Sequence, residues 1–353
     1  MKAGFRLKTC HSEPLKRRRI SSVLLVPKLL LGNEGNPKLL RHTRLPTRLP
    51  SRGLGPRENY GRLEIKELID LHVHSSASDG SYSPAEVVRL AKEGGLTAMA
   101  LTDHDTVDGL PEAVAAGARL GLEVIPGVEI SAQFPGGTMH ILGLFVDYTN
   151  GRLDERLAVL KQARIDRNPQ IINKLNALGI PITMARVEEI SGGGQVGRPH
   201  IARALMESGY IRDLQEAFDK YLGWRKPAYV SKFRFPPDQA LTMIREAKGI
   251  PVLAHPFTLN LGSAYALKNL VVELKGQGLA GLEVFYSEHT PEQIALYLKL
   301  TQELDLLVTG GSDYHGLNKP EISLGSMPCQ DRLTYHLVTA LKAWRRREYP
   351  PGG

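Results

Sequence analysis

The 353-residue chain has only two cysteines, Cys10 and Cys329, too few for a disulfide framework or a thiolate zinc site. That scarcity points to a reducing, cytoplasmic setting. Long apolar runs are also missing. The best early stretch, Val23 to Leu31, is broken by Pro27 and Lys28, so it is too short to span a bilayer and a poor core for a secretion signal. No membrane association is expected. The third absence is a basic body. The formal charge is +8, yet residues 1–60 hold 14 Lys and Arg against 3 Glu, leaving 31 basic against 34 acidic residues in 61–353. The globular part therefore offers no electrostatic argument for a stable DNA partner.

Residues 1–62 mix Arg, Pro and Gly without a usable period, and the repeated Arg-Leu-Pro of 44–46 and 48–50 supports no packed element. This segment reads as a disordered basic tail, either a polyanion-binding arm or an extension upstream of a true start near Arg62. Over the whole chain, 42% hydrophobic residues suffice for a substantial core. Short apolar runs at 68–74, 97–102, 123–128, 139–146, 250–254, 280–285 and 306–310 read as strands, and capped helical patterns alternate with them. Ser83-Pro84-Ala85-Glu86 reads as a capping box opening a helix that stops at Gly94-Gly95, and Thr290-Pro291-Glu292-Gln293 repeats the device. The alternation predicts an α/β fold, a seven-stranded barrel with some distortion.

Between about 150 and 227 the strand signal vanishes, and long helical periods at Leu153–Leu178 and Pro199–Leu222 replace it. The expected organisation is a tail at 1–62, barrel at 63–150, a helical insertion at 151–228, and barrel again at 229–348, ending with a helix near Asp331–Trp344.

Chemistry concentrates where the strands end. In Ile69-Asp70-Leu71-His72-Val73-His74 the two-residue period of a strand puts Asp70, His72 and His74 on one face. Asp79 follows in a Ser/Gly-rich loop. Ala98–Leu101 runs into Thr102-Asp103-His104-Asp105, Val124–Val128 ends in Glu129, His140 opens the next strand, Val252–Ala254 ends in His255, and Leu306–Thr309 leads to Ser312-Asp313-Tyr314-His315. In a β/α barrel the carboxyl ends of the strands meet at one face, so these side chains are expected to converge. Mixed imidazole and carboxylate donors without thiolate suit Mn²⁺, Fe or Zn²⁺ better than an all-oxygen Mg²⁺ or Ca²⁺ cage, with Mn²⁺ preferred. Nine candidate ligands, His72, His74, Asp79, His104, Glu129, His140, His255, Asp313 and His315, are too many for one ion and enough for two or three.

In order, His72-x-His74 with Asp79, Thr102-Asp103-His104-Asp105, Gly127-Val128-Glu129-Ile130, His140, Ala254-His255-Pro256 and Gly311-Ser312-Asp313-Tyr314-His315 span roughly 66–325. This set resembles the PHP (polymerase and histidinol phosphatase) phosphoesterases. The resemblance implies a distorted (β/α)7 barrel and a trinuclear centre: one ion on His72, His74, Glu129 and Asp313, a second on Glu129, His140 and His255, a third on Asp79, His104 and His315. Glu129, His255 and Asp313 are the expected catalytic residues. Within the insertion, Ala163-Arg164 through Gly179, Gly197-Arg198-Pro199-His200-Ile201-Ala202, and Tyr221-Leu222-Gly223 with Lys226 to Val230 resemble the subgroup that hydrolyses nucleoside 3′,5′-bisphosphates and trims 5′ ends of short RNA.

The expected reaction is phosphomonoester hydrolysis by a metal-bridging hydroxide, on the 3′-phosphate of a nucleoside bisphosphate or the end of a short RNA. Arg198, His200, Arg164 and Lys226 are candidates for substrate binding, the first two because Pro199 opens a helix whose free N–H groups favour phosphate. Arg167 is a weaker candidate. Asp70, Asp103 and Asp105 read as residues that orient ligand imidazoles. His289 and His336 read as surface residues, and Tyr286 as a strand end that at most flanks the pocket. A histidinol-phosphate phosphatase, a 3′→5′ exonuclease, a nucleic-acid-binding module built on the tail, and a metal-binding regulator without turnover are the competing readings. The insertion argues against the first, and the absence of polymerase modules against proofreading.

Overall fold

The computed structural model describes residues 67–326 and 333–350; the expected disordered tail, Cys10, Cys329 and the start near Arg62 lie outside them. The apolar runs form a seven-stranded sheet ordered as in the chain: β1 (Leu68–Val73), β2 (Leu96–Leu101), β3 (Glu123–Ala132), β4 (Met139–Leu144), β5 (Ile250–Leu253), β6 (Gly281–Tyr286) and β7 (Leu307–Gly311). All neighbours pair in parallel except β4, which runs antiparallel to β3 and to β5. Just past β7, the Asp313 N–H donates to the His72 carbonyl (2.8 Å) and the His74 N–H to the Tyr314 carbonyl (3.0 Å). These bonds bring the last strand against the first, giving the distorted, nearly closed seven-stranded barrel that the alternation predicts.

The reversal of β4 follows from its connection. Every parallel pair needs a long crossover, whereas β3 turns directly into β4 through residues 133–138. β4 therefore presents its amino end at the mouth where the other strands present their carboxyl ends. His140 reaches the shared face for that reason.

Helices α1 (Pro84–Glu93) and α2 (Leu110–Leu120) follow β1 and β2; α3 (Gly151–Ala177), α4 (Met184–Ser191), α5 (Arg198–Glu207), α6 (Leu214–Ala217) and α7 (Pro237–Glu246) separate β4 from β5; α8 (Ala264–Gly276), α9 (Pro291–Glu303) and α10 (His336–Glu348) complete the chain. The Thr290 capping box is complete, with Thr290 and Gln293 each bonding the other's backbone N–H. At Ser83 only half of it forms: the hydroxyl accepts from Glu86 N–H, while the Glu86 carboxylate turns to Arg89. No described helix is long and apolar enough to cross a membrane.

The expected long helix at Pro199–Leu222 is interrupted. α5 stops at Glu207, Gly209 adopts φ +75°, and Asp213 caps the short α6 before a single wide turn at Phe218–Leu222. α4, only eight residues long, is an addition that its short period concealed. α10 starts at His336 rather than Asp331, which lies outside the described residues.

One large apolar core fills the barrel and the space beneath its outer helices, and a second, smaller one joins Ile171, Leu175, Val187, Ile201, Leu205, Ala217 and Leu222. Each fully buried Leu or Ile contributes about 1.5–3 kcal/mol. α3 spans both cores. Leu153, Leu157 and Leu160 pack into the first, Ile171, Ile172 and Leu175 into the second, and the buried turn between them carries Arg164, Arg167 and Asn168. That polar turn lies beside the mouth of the barrel.

Candidate metal centre

Five imidazoles encircle Glu129 at the mouth. Successive ring centroids are 5.1 Å (His72–His74), 4.6 Å (His74–His104), 4.9 Å (His104–His140), 5.2 Å (His140–His255) and 5.7 Å (His255–His72) apart. All five point a ring nitrogen at the same carboxylate: His72 and His74 Nε2 at 3.3 and 3.2 Å and His104 Nδ1 at 2.9 Å from Oε2, His140 Nδ1 at 2.8 Å and His255 Nε2 at 2.9 Å from Oε1. Asp313 Oδ1 lies 3.4 and 3.1 Å from His72 and His74, and His315 stacks on His74 at 4.2 Å with its Nε2 3.3 Å from Asp79. All nine candidate ligands thus meet in one place.

Their donor atoms form three overlapping groups: His74, Asp79, His104 and His315; His72, His74, Glu129 and Asp313; and His104, Glu129 and His140. The second matches the set that the resemblance implied. The other two differ from it: His74 joins the Asp79 group, and His104 takes the place expected for His255, whose Nδ1 lies 3.0 Å from Thr258 Oγ1 while Nε2 bonds Glu129.

The arrangement fits divalent ions on chemical grounds. His74 Nδ1, His104 Nδ1, His140 Nδ1 and Glu129 Oε2 are buried without a hydrogen-bond partner, although two of those nitrogens lie within 3 Å of Glu129. Buried polar atoms are nearly always satisfied, so lone pairs facing one another without a proton geometry belong to a shared electrophile. The charges agree. Burial opposes ionisation of Glu129, Asp79 and Asp313, yet the surrounding imidazoles, and Lys319 for Asp313, hold all three carboxyls below the usual range. Burial pushes His140 down to about 4; it pulls His74 the same way, but the Asp313 and Glu129 carboxylates outweigh it and lift His74 to about 9.

Backbone strain marks the same residues. His255 (φ +25°) and Asp313 (φ +57°) are left-handed non-glycine positions, each a conformation that costs on the order of 1–3 kcal/mol and persists where surrounding contacts impose it. Gly311 allows β7 to close on β1, since a Cβ there would sit 2.2–2.7 Å from His72 atoms.

The residues that hold the ligands in place are partly not those expected. Asp70, Asp103 and Asp105 do not bond the imidazoles. Asp70 accepts from Ser312 N–H (2.9 Å), Ser312 Oγ (2.5 Å) and Gly325 N–H (2.8 Å); Asp103 from Ser75 N–H and the Ser75 and Ser78 hydroxyls (2.8, 2.6 and 2.6 Å). They pin the loops that carry Asp313 and Asp79. Asp105 accepts from Ser131, Arg164 and Lys232. Their short side chains reach adjacent backbone before they reach a ring. The imidazole partner is Glu283, whose Oε1 lies 2.9 Å from His72 Nδ1 and whose Oε2 accepts the His255 N–H at 2.7 Å. Sequence reasoning missed it; its signal was a single acid inside the apolar strand Gly281–Tyr286. Tyr286 does more than end that strand, since its hydroxyl donates to Asp313 Oδ2 (2.8 Å) beside Lys319 Nζ (2.6 Å). His289 is buried rather than on the surface, with Nδ1 2.9 Å from the Val284 carbonyl and its ring packed on Tyr297; His336 is exposed as expected.

The candidate substrate residues separate. Arg198 lines a cavity of about 710 Å³ together with Lys232 and Arg234, and its guanidinium is held by the Leu222 carbonyl (3.2 Å) and the Phe218 ring. Arg164 is buried against Asp105 at 2.7 Å. His200 accepts the Gly197 N–H on Nδ1 at 3.0 Å, closing the amino end of α5, and burial lowers its pKa. Lys226 is exposed and lies outside the cavity lining.

Fold and donor set together define a metal-dependent phosphoesterase on a distorted barrel. A family model of the PHP domain matches residues 70–224. The chain is 37% identical over 246 residues to a 5′-3′ exoribonuclease of Haemophilus influenzae, covering 70% of this chain and 89% of that protein. It is 34% identical over 248 residues to a 3′,5′-nucleoside bisphosphate phosphatase of Chromobacterium violaceum, covering 70% and 87%. Among solved structures, a Bifidobacterium adolescentis protein named provisionally as a metal-dependent phosphoesterase superposes with a TM-score of 0.71 at 30% identity, over 78% of this chain and 95% of that one. The chain belongs to the PHP domain family.

Proposed function

We propose that the chain removes the 3′-phosphate of nucleoside 3′,5′-bisphosphates, with the 5′ ends of short RNA as a further substrate, at two or three divalent ions held by the nine side chains around Glu129. Mn²⁺ is the preferred ion on donor chemistry, with Fe and Zn²⁺ as alternatives. The names of the two relatives support the substrate class, and the scarcity of cysteine supports a cytoplasmic setting. Bound divalent ions supply Lewis-acid polarisation of a phosphoryl group and acidify water toward neutral pH.

The observation that carries the choice of a doubly phosphorylated substrate is an excess of positive charge beside the cluster. Arg164, Arg167, Arg198, Lys232 and Arg234 gather there, and among the described residues Asp105 is the only carboxylate that pairs with any of them. Burial, then the charge of Arg234, lower Arg198 to about 10, so it stays protonated at neutral pH. The group adjoins the cluster: Asp105 follows His104, and a Cβ on Gly197 would touch Asp79. One phosphate then meets the histidine and carboxylate donors, and the other meets Arg198, Lys232 and Arg234, the cations of this group that line the cavity. Lys319 and Tyr286 fix Asp313, and Glu283 fixes His72 and His255, so the donors need little rearrangement as substrate enters.

Arg198→Ala is expected to raise KM for adenosine 3′,5′-bisphosphate about 10- to 100-fold, the worth of a hydrogen bond to a charged group, with a smaller effect on a monophosphate. Equal losses on both would remove the second-phosphate site. The direct test is phosphate release from adenosine 3′,5′-bisphosphate, a short 5′-phosphorylated RNA and histidinol phosphate. Turnover of histidinol phosphate alone would overturn the reading.

A further inference from the structure

The cavity beside the centre holds more than cations. It opens between the ends of β3 and β4, since Ala132 lies three residues past Glu129 and Thr138 two before His140, and it extends to Trp224, Arg225, Tyr229, Phe233 and Asn260. Its volume, about 710 Å³, suits a small-molecule ligand. Two large aromatic side chains line it while remaining open to solvent: Trp224 is 59% exposed and Phe233 51%. Each has neighbours packed on it. Tyr229 meets the Trp224 indole edge-on at 5.1 Å and Arg225 lies over it at 5.9 Å, while Phe235 meets Phe233 edge-on at 5.0 Å. Arg225 adopts φ +61°, a left-handed turn that places it beside the indole.

An exposed aromatic in a cavity also lined by cations is an arrangement on which a flat, electron-rich ring stacks while a phosphate on the same molecule is held. We infer that Trp224 and Phe233 form a stacking platform for the nucleobase of the substrate and so set a preference for nucleotides over other phosphorylated compounds. This rests on the bisphosphate reading given above: the phosphates fix the ends of the molecule, on the donor cluster and on Arg198, Lys232 and Arg234, and the base lies along the cavity wall. Neither aromatic touches the reacting atoms. Their part is in binding and specificity.

The first test needs no turnover. Tryptophan emission is titrated with adenosine 3′,5′-bisphosphate and, separately, with the abasic ribose 3,5-bisphosphate, in wild-type protein and in Trp224→Phe, a conservative change at an exposed position. The expected result is quenching by the adenosine compound alone, absent from Trp224→Phe. Equal quenching by the two ligands, no quenching, or quenching that persists in Trp224→Phe overturns the platform. The second test is kinetic. Wild type should favour the adenosine substrate over the abasic one by about 10-fold in KM, Trp224→Ala should erase that preference, and Trp224→Phe should restore most of it. A preference that survives Trp224→Ala and Phe233→Ala overturns the inference. Turnover of neither bisphosphate together with adenosine-specific quenching would remove the proposed reaction and leave the base site standing.

Discussion

Replacing Glu129 with glutamine is expected to lower kcat/KM by at least about 10³-fold and to strip bound metal in the same sample. Five imidazole nitrogens lie within 3.3 Å of the two Glu129 carboxylate oxygens, and Glu129 belongs to two of the three donor groups. Glutamine keeps the shape and removes the charge. One of its two terminal positions becomes an N–H donor pointed at imidazole lone pairs that the carboxylate meets as an anion, so the loss is electrostatic and not a packing defect. Steady-state kinetics and metal content of purified protein check this. A variant that keeps activity within tenfold of wild type would show that Glu129 is not at the chemical centre.

Asp105→Ala should cost about 3–5 kcal/mol of stability, the penalty of leaving buried cations without their counter-charge. Lys232 and Arg164 both lie 2.7 Å from the same Asp105 oxygen, in surroundings that already lower Lys232 well below its ordinary value through burial and the charge of Arg164. Urea unfolding at pH 7 measures the loss. Burial alone would raise the Asp105 carboxyl, but Lys232 and Arg164 outweigh it and hold the group far below the usual carboxylate range. Its contribution is therefore fully present at neutral pH and declines only as pH falls through the ordinary carboxylate value, about 4, toward the folded one. The gap between wild type and variant should narrow below pH 4. A difference under about 1 kcal/mol at pH 7 would show that this triad is not a stabilising element.

What was legible beforehand follows from the range of each signal. Seven strands were readable because each is a short apolar run ended by polar chemistry, and the convergence of eight of the nine donors followed from barrel geometry, His140 alone depending on the reversal of β4. The reversal of β4 was not readable from the apolar pattern, since His140 opens its strand in either direction; only the short 133–138 connection carried that information. The Pro199–Leu222 break was hidden because helix-forming residues on both sides of Gly209 outweighed that one glycine, whose positive φ ends α5 before Asp213 caps α6.

Long-range pairing accounts for the rest. Glu283 lies 211 residues from His72, and Lys232 lies 127 from Asp105; no local pattern links either pair. The aspartates next to the ligand histidines looked like imidazole partners because they are near in sequence, but their short carboxylates are engaged by the N–H and hydroxyl groups of Ser75, Ser78, Ser131 and Ser312 instead. Arg164 and His200 looked free to grip phosphate because sequence does not show that Asp105 and the Gly197 N–H engage them.

The proposed reaction requires the buried cluster around Glu129 to hold divalent ions. Elemental analysis of the purified protein, expressed as metal per chain, tests it most directly. The account predicts two or three equivalents of a transition metal, Mn²⁺ by preference, in protein that releases phosphate. A chain that turns over substrate at full rate with far less than one equivalent bound would contradict it.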